Sequence, residues 1–159
     1  MKTNPIGAHF SISKGFLGSL EDALVVGGEA LQIFSKSPMS AKFRKVTDEE
    51  SSQIKNWEKR GEIKNIIIHA SYLLNFANPL ENNSFPIKSL AEDLLNADLL
   101  GADGVVLHMG KYLKSPPSEA KQNFIENIKK VIALTKNTKA KVFIENTAGQ
   151  GTEFGFTLE

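Results

Sequence analysis

Apolar and polar residues follow two rhythms along this chain. Short apolar runs lie in "PIGAHFS" (5–11), "ALQIFSK" (30–36), "NIIIHAS" (65–71), "GVVLHMG" (104–110) and "KVFIENT" (141–147). They are rich in Ile, Val and Phe and too short for helices of that composition, so each is expected to form a strand. Longer segments between them carry helical spacing. "FLGSLEDALVVGG" (16–28) sets Leu20, Ala23 and Leu24 on one face. "TDEESSQIKNWEKRG" (47–61) opens with Thr47 and Glu50 in capping-box spacing and closes on Gly61. "PIKSLAEDLLNADLLG" (86–101) starts on a proline and ends on Gly101. "SEAKQNFIENIKKVIALTK" (118–136) puts Phe124, Ile128, Val131 and Ile132 on a 3.6-residue stripe. The order βαβαβαβαβ predicts a parallel sheet covered by helices, with no linker and no second domain.

Two architectures accommodate five such units. One is a five-stranded doubly wound sheet. The other is the opening of a (β/α)8 barrel, which takes about 250 residues. The loop after the first strand, "GAHFSISKG", lacks the G-x-G-x-x-G phosphate fingerprint. After the fifth strand, "GTEFGFTLE" reads as a loop with Thr157 as the N-cap of a helix about to begin. The expected fold class is therefore α/β, a (β/α)8 TIM barrel represented by its first five strands and four helices. Residues 1–159 would be the N-terminal part of one barrel domain, without its C-terminal half.

Composition narrows the function classes. The 159 residues are 41% apolar and 23% charged, in the range of ordinary globular domains. No run approaches the ~20 apolar residues of a membrane helix, and "MKTNPIGAHFS" lacks a secretory signal's apolar core. The absence of cysteine excludes disulfides, thiolate metal sites and a cysteine nucleophile, and agrees with a cytoplasmic protein. A net charge of +1 leaves polyanion binding to local patches. Such a patch is suggested by segments 12–16, 35–46 and 109–117, which carry Lys14, Lys36, Lys42, Arg44, Lys45, Lys111 and Lys114 and no acid. A basic rim suits a phosphate backbone, although lysines are also ordinary in solvated loops.

The three histidines, His9, His69 and His108, all fall at or near strand ends, and Glu145 holds the equivalent place on the fifth run. In both candidate architectures the carboxyl ends of the strands form the functional face. Imidazoles and a carboxylate gathered there suit Zn2+, Mn2+ or Fe2+. A metal would also account for an acid at the end of the apolar run Val142–Ile144, where an unpaired charge is costly. Trp57, Phe16, Phe76 and Phe85 read as packing residues, and "SPP" (115–117) as a helix start.

The motifs "IGAHFS", "HASYLLN" (69–75), "LHMG" (107–110) and above all "IENTAGQG" (144–151) come in the order and spacing of the endonuclease IV family, which this chain resembles. The resemblance implies a TIM barrel with up to three Zn2+ at its strand ends. It implies a monomeric enzyme that hydrolyses the phosphodiester 5′ to an abasic site in double-stranded DNA, leaving a 3′-hydroxyl. Residue by residue, His69 and His108 match two imidazole ligands of one metal. Glu145 matches the carboxylate that bridges it to a second metal and so serves catalysis. Tyr72 matches a tyrosine beside the abasic pocket. No ligand role carries over to His9. Lys36, Lys42, Arg44 and Lys45, after the second strand, are the expected DNA contacts. The loop departs from the family in having Met39 and Ala41 where an Arg and an aromatic residue often stand. Met109–Gly110–Lys111 likewise replaces a segment in which a Pro and a Ser flank the glycine. The chain covers about the N-terminal half of such a protein, so alone it is expected to be inactive. Two rival expectations are a metal-dependent sugar isomerase or epimerase on a related barrel, and a doubly wound binding module.

Overall fold

In the computed structural model, which describes residues 4–157, strands and helices alternate as the two rhythms predict. They are β1 (Gly7–His9), α1 (Gly15–Val25), β2 (Ala30–Phe34), α2 (Asp48–Arg60), β3 (Asn65–His69), α3 (Phe85–Leu100), β4 (Gly104–His108), α4 (Pro117–Leu134) and β5 (Lys141–Glu145). Helix boundaries fall where the local chemistry puts them. At α2, Glu50 N donates to Thr47 Oγ1 at 3.2 Å and Thr47 N donates to Glu50 Oε2 at 3.0 Å, the reciprocal capping box. Helix α3 stops at Gly101, whose φ of 70° lies in the left-handed region that glycine enters freely.

All strand pairings are parallel, and the strand order is β1-β2-β3-β4-β5. A doubly wound sheet reverses direction at a switch point. This sheet follows chain order throughout, as a barrel does. The expectation of a partial TIM barrel therefore holds, and the doubly wound alternative does not.

Burial alternates along the strands. Leu31 and Ile33, Ile66 and Ile68, and Val105 and Leu107 are buried under the helices. They pack there with Phe16 and Leu20 of α1, Ile54 of α2, Leu90 and Leu94 of α3, and Phe124 and Val131 of α4. The intervening residues, among them Phe34, Ile67, His69, Val106, His108 and Glu145, occupy the opposite face, which a barrel turns inward. Phe16 and Phe76 are core residues as expected. Ile132 differs: it lies on the outer flank of α4 and is exposed, because its predicted stripe is wider than the face that α4 buries. Ile144 is 57% exposed, whereas its counterparts Ile68 and Leu107 are buried. Among the described residues, no helix covers that side of β5 and no further strand pairs with its edge. The helix expected after Thr157 would fall on Leu158 and Glu159, outside the described residues. No described helix is long and apolar enough to cross a membrane.

Candidate metal centre

His69, His108 and Glu145 are the last residues of three consecutive strands. Strand period puts all three on the inward face, and the β4–β5 register sets His108 directly beside Glu145. One ligand atom from each lies within 4.8 Å of the others. Glu145 Oε2 is 3.4 Å from His69 Nε2 and 3.6 Å from His108 Nε2. Two ligands on a tetrahedral zinc, each about 2.0–2.1 Å from it, stand roughly 3.3 Å apart. The donor set therefore fits a zinc-type ion in chemistry and in spacing.

The surroundings orient the ligands. His69 Nδ1 lies 2.8 Å from Ala70 O, a hydrogen bond that needs the proton on Nδ1 and leaves the Nε2 lone pair facing Glu145. His69 is buried, with the rings of His108 and Phe34 at 5.3 Å and 5.5 Å from its own. The side chains of His108 and Glu145 are 38% and 46% exposed, so the centre opens toward β5. His108 Nδ1 is buried without a hydrogen-bond partner among the described residues.

His9 shares this face but stands apart from the ligand group. Its Nδ1 is 2.9 Å from Gln32 Oε1, and its ring centroid is 6.2 Å from that of His69. Phe34, which the sequence reading passed over, joins these rings. Its centroid lies 4.6 Å from His9, 5.5 Å from His69 and 5.4 Å from Tyr72. The signal was its place as the last residue of β2, level with His69. Tyr72 is exposed, with its ring 5.7 Å from His69, on the same rim as the ligands.

Of the seven cations expected on the basic rim, Lys14, Lys36, Arg44 and Lys111 are paired within the fold while Lys114, like Lys42 and Lys45, is exposed, and Lys36 is a correction to the expected DNA contacts. Lys36 is 3% exposed. Its ammonium pairs with Asp93 of α3, donates to Ser89 O at 3.3 Å and lies 3.5 Å from Glu92 Oε2. It points into the layer between β2 and α3, where no DNA backbone can reach it. Segment 35–46 carries no acid, so the pairing could be seen only once α3 was packed on β2. Arg44 is half-buried, stacks over Phe16 at 4.1 Å and bonds Glu50 at 2.5 Å. Lys14 pairs with Asp22 at 3.0 Å, and Lys111 lies 3.8 Å from Glu153. Lys42 and Lys45 are exposed and have no ion pair among the described residues.

Beside the ligands, the loops after β3, β4 and β5 enclose a cavity of about 590 Å3. Tyr72, Asn75, His108, Lys111, Glu145 and Gln150 all contribute to its wall. The motifs "HASYLLN", "LHMG" and "ENTAGQG" thus converge on one space.

Comparison with known proteins agrees with this architecture. Residues 20–159 match the family described as xylose isomerase-like TIM barrel. The chain is 31% identical over 156 residues to the probable endonuclease 4 of Carboxydothermus hydrogenoformans, covering 97% of this chain and 54% of that protein. It is 33% identical over 156 residues to the probable endonuclease 4 of Symbiobacterium thermophilum, covering 97% and 55%. A crystal structure of endonuclease IV from Thermus thermophilus superposes with a TM-score of 0.81 at 34% identity, covering 96% of this chain and 55% of that one. A D-tagatose 3-epimerase-like protein superposes with a TM-score of 0.70 at 19% identity, covering 96% and 57%, and shares the fold alone. The chain thus spans about half the length of the relatives it matches. With parallel strands in chain order, two histidines and a glutamate at their carboxyl ends and a family match over residues 20–159, the chain belongs to the xylose isomerase-like TIM barrel family, and relatives similar to it in sequence are named probable endonuclease 4.

Proposed function

We propose that this chain contributes the first metal-binding part of an abasic-site endonuclease. The reaction is hydrolysis of the phosphodiester 5′ to an abasic site in double-stranded DNA. The observation that carries this reading is the convergence of His69, His108 and Glu145 at ligand spacing beside the "ENTAGQG" loop. The similarity to endonuclease 4 proteins supports it.

Zn2+, or Mn2+, bound here would supply a water of lowered pKa and positive charge for the phosphoryl oxygens. The rest is the work of this chain's residues. His69, held by Ala70 O, keeps a fixed imidazole face toward the centre. Glu145, with Oε2 3.4 Å and 3.6 Å from the two imidazole nitrogens, would hold the ion together with them and, as a carboxylate, would be able to serve a second one. Tyr72 stands on the rim as a surface for the abasic nucleotide. Lys42 and Lys45 offer charge to the phosphate backbone, with Arg44 contributing what its pairing to Glu50 leaves free.

The relatives are nearly twice as long, so the activity is assigned to a barrel completed to that length, and these residues alone are expected to cut little. The decisive assay uses the completed protein with Zn2+ and abasic duplex, beside an aldose–ketose conversion assay. The expected products are a nick 5′ to the site with a 3′-hydroxyl, reduced about 100-fold or more in Glu145→Gln. Sugar conversion without nicking would replace this reading with that of a sugar isomerase.

A further inference from the structure

The loops that wall the 590 Å3 cavity meet at the segment Gly110–Lys111. The carboxamide of Asn75 behaves like a piece of β-strand. Its Nδ2 donates to Lys111 O at 2.9 Å, and its Oδ1 accepts from Lys111 N at 3.0 Å. The same Oδ1 accepts from Ala77 N at 3.2 Å. The paired donor and acceptor of Lys111 leave only one orientation for the amide. A Cβ on Gly110 would collide with Asn75 Oδ1, so the two loops are in close contact there. Lys111 passes the connection on. It bridges to Glu153, while Phe154 N donates to Gly110 O and Tyr112 N to Thr152 O, each at 2.9 Å. Asn75, with Asn78 Nδ2 donating to the same Lys111 O at 2.7 Å and Phe76 N to Met109 O at 3.2 Å, ties the loop bearing Tyr72, through the segment after His108, to the loop that follows Glu145. The base of its own loop is anchored separately: Asn127, buried in α4, donates to Phe76 O at 3.0 Å and Asn78 O at 2.8 Å.

We infer that Asn75 is a positioning residue that sets the width of this cavity, and so how tightly a sugar–phosphate is held between Tyr72 and the Glu145 strand end. This rests on the endonuclease reading. It assigns Asn75 an effect on substrate capture and none on the ligand set, because none of its bonds goes to His69, His108 or Glu145. The experiment compares Asn75→Ala and the isosteric Asn75→Asp with the unsubstituted completed protein. Asn75→Asp keeps the two accepted bonds but turns a carboxylate oxygen toward Lys111 O, so it reads the same contact if the alanine variant does not fold. KM for abasic duplex should rise about tenfold, the size typical of supporting hydrogen bonds around a site. The kcat and the Co2+ affinity read from its absorption bands should stay within about twofold. An unchanged KM in folded variants, or kcat and Co2+ affinity falling together, overturns the inference. Absence of cleavage by the unsubstituted protein is the separate result that removes the endonuclease reading itself.

Discussion

Two charge clusters stand near the ends of neighbouring strands, and their fates are opposite. Behind β2, Lys36 meets Asp93 and Glu92, while Ser35 Oγ donates to Asp93 Oδ1 at 2.5 Å. At the ends of β3, β4 and β5, Glu145 meets two imidazoles. The first cluster contains its own cation, one ammonium set against two carboxylates, and is sealed by α3. The second gathers lone pairs around a space with no cation of its own and opens to solvent. Buried charge with a built-in counter-ion is architecture; converging donors without one have the make-up of a metal's ligand set. Both look alike in sequence, as polar residues ending an apolar strand.

Removing one partner from each cluster should separate the two roles most sharply. Asp93→Ala leaves the buried Lys36 ammonium with only Glu92, at 3.5 Å, and the Ser89 carbonyl, and unfolding in urea should show a loss of about 3 kcal/mol, the low end for breaking a buried pair. Glu145→Gln in the metal-free protein should change stability by no more than about 0.5 kcal/mol, as expected for a half-exposed side chain. Equal losses at both positions would erase the distinction.

A smaller effect tests the sign of the electrostatics. Burial pushes the Asp93 and Glu92 carboxyls up, against the pull of Lys36. Burial also acts upward on Glu50, but the Thr47 N–H and the Arg44 guanidinium outweigh it and hold that carboxyl below its ordinary 4.5. A depressed carboxyl contributes stability above its unfolded value, and the contribution is lost as pH falls through the folded value. The raised Asp93 and Glu92 act in the opposite sense: their contribution is present at low pH and fades as pH rises. Glu50→Gln should therefore cost about 0.5–1 kcal/mol near pH 6, after screening of the partly exposed Arg44, and almost nothing near pH 3. A penalty that grew toward acid pH would reverse the assignment.

The smallest expected change is at the surface. Lys42→Ala with Lys45→Ala should leave stability within about 0.5 kcal/mol. In the completed protein, the dependence of log binding constant on log salt should flatten by about 1 per lysine. An unaltered slope would make these lysines an ordinary solvated surface.

Much of this was legible along the chain, for local reasons. The strand-ending positions of His69, His108 and Glu145 follow from short continuous apolar runs rich in Ile and Val. The α2 cap follows from Thr47 and Glu50 spaced three apart, and the end of α3 from Gly101. Short-range periodicity and turn chemistry decide such features within a few residues. Residue type and place at the strand end gave His9 the same standing as His69 and His108, and it was the resemblance to the endonuclease IV family that set the three expected ligands apart from it. The Asn75–Lys111 contact was harder to see, because it joins residues 36 apart. "HASYLLN" marks Asn75 as part of a motif without saying what its amide touches.

Tertiary packing alone decided the rest. Segment 35–46 reads as a uniform basic loop, yet packing sends Lys36 inward to Asp93, sets Arg44 between Phe16 and Glu50, and leaves Lys42 and Lys45 outside. The carboxylates that make this difference stand on α2 and α3, outside the segment itself. Sheet order is also a long-range property: β1 to β5 could have been arranged with or without a switch point on the same local signals. The sequence by itself determined which residues could bind a metal and where along each strand they stand, because strand period and strand ends are local. Only the fold decided which charges were free to act, because charge is neutralised by whatever packs beside it, however distant in the chain.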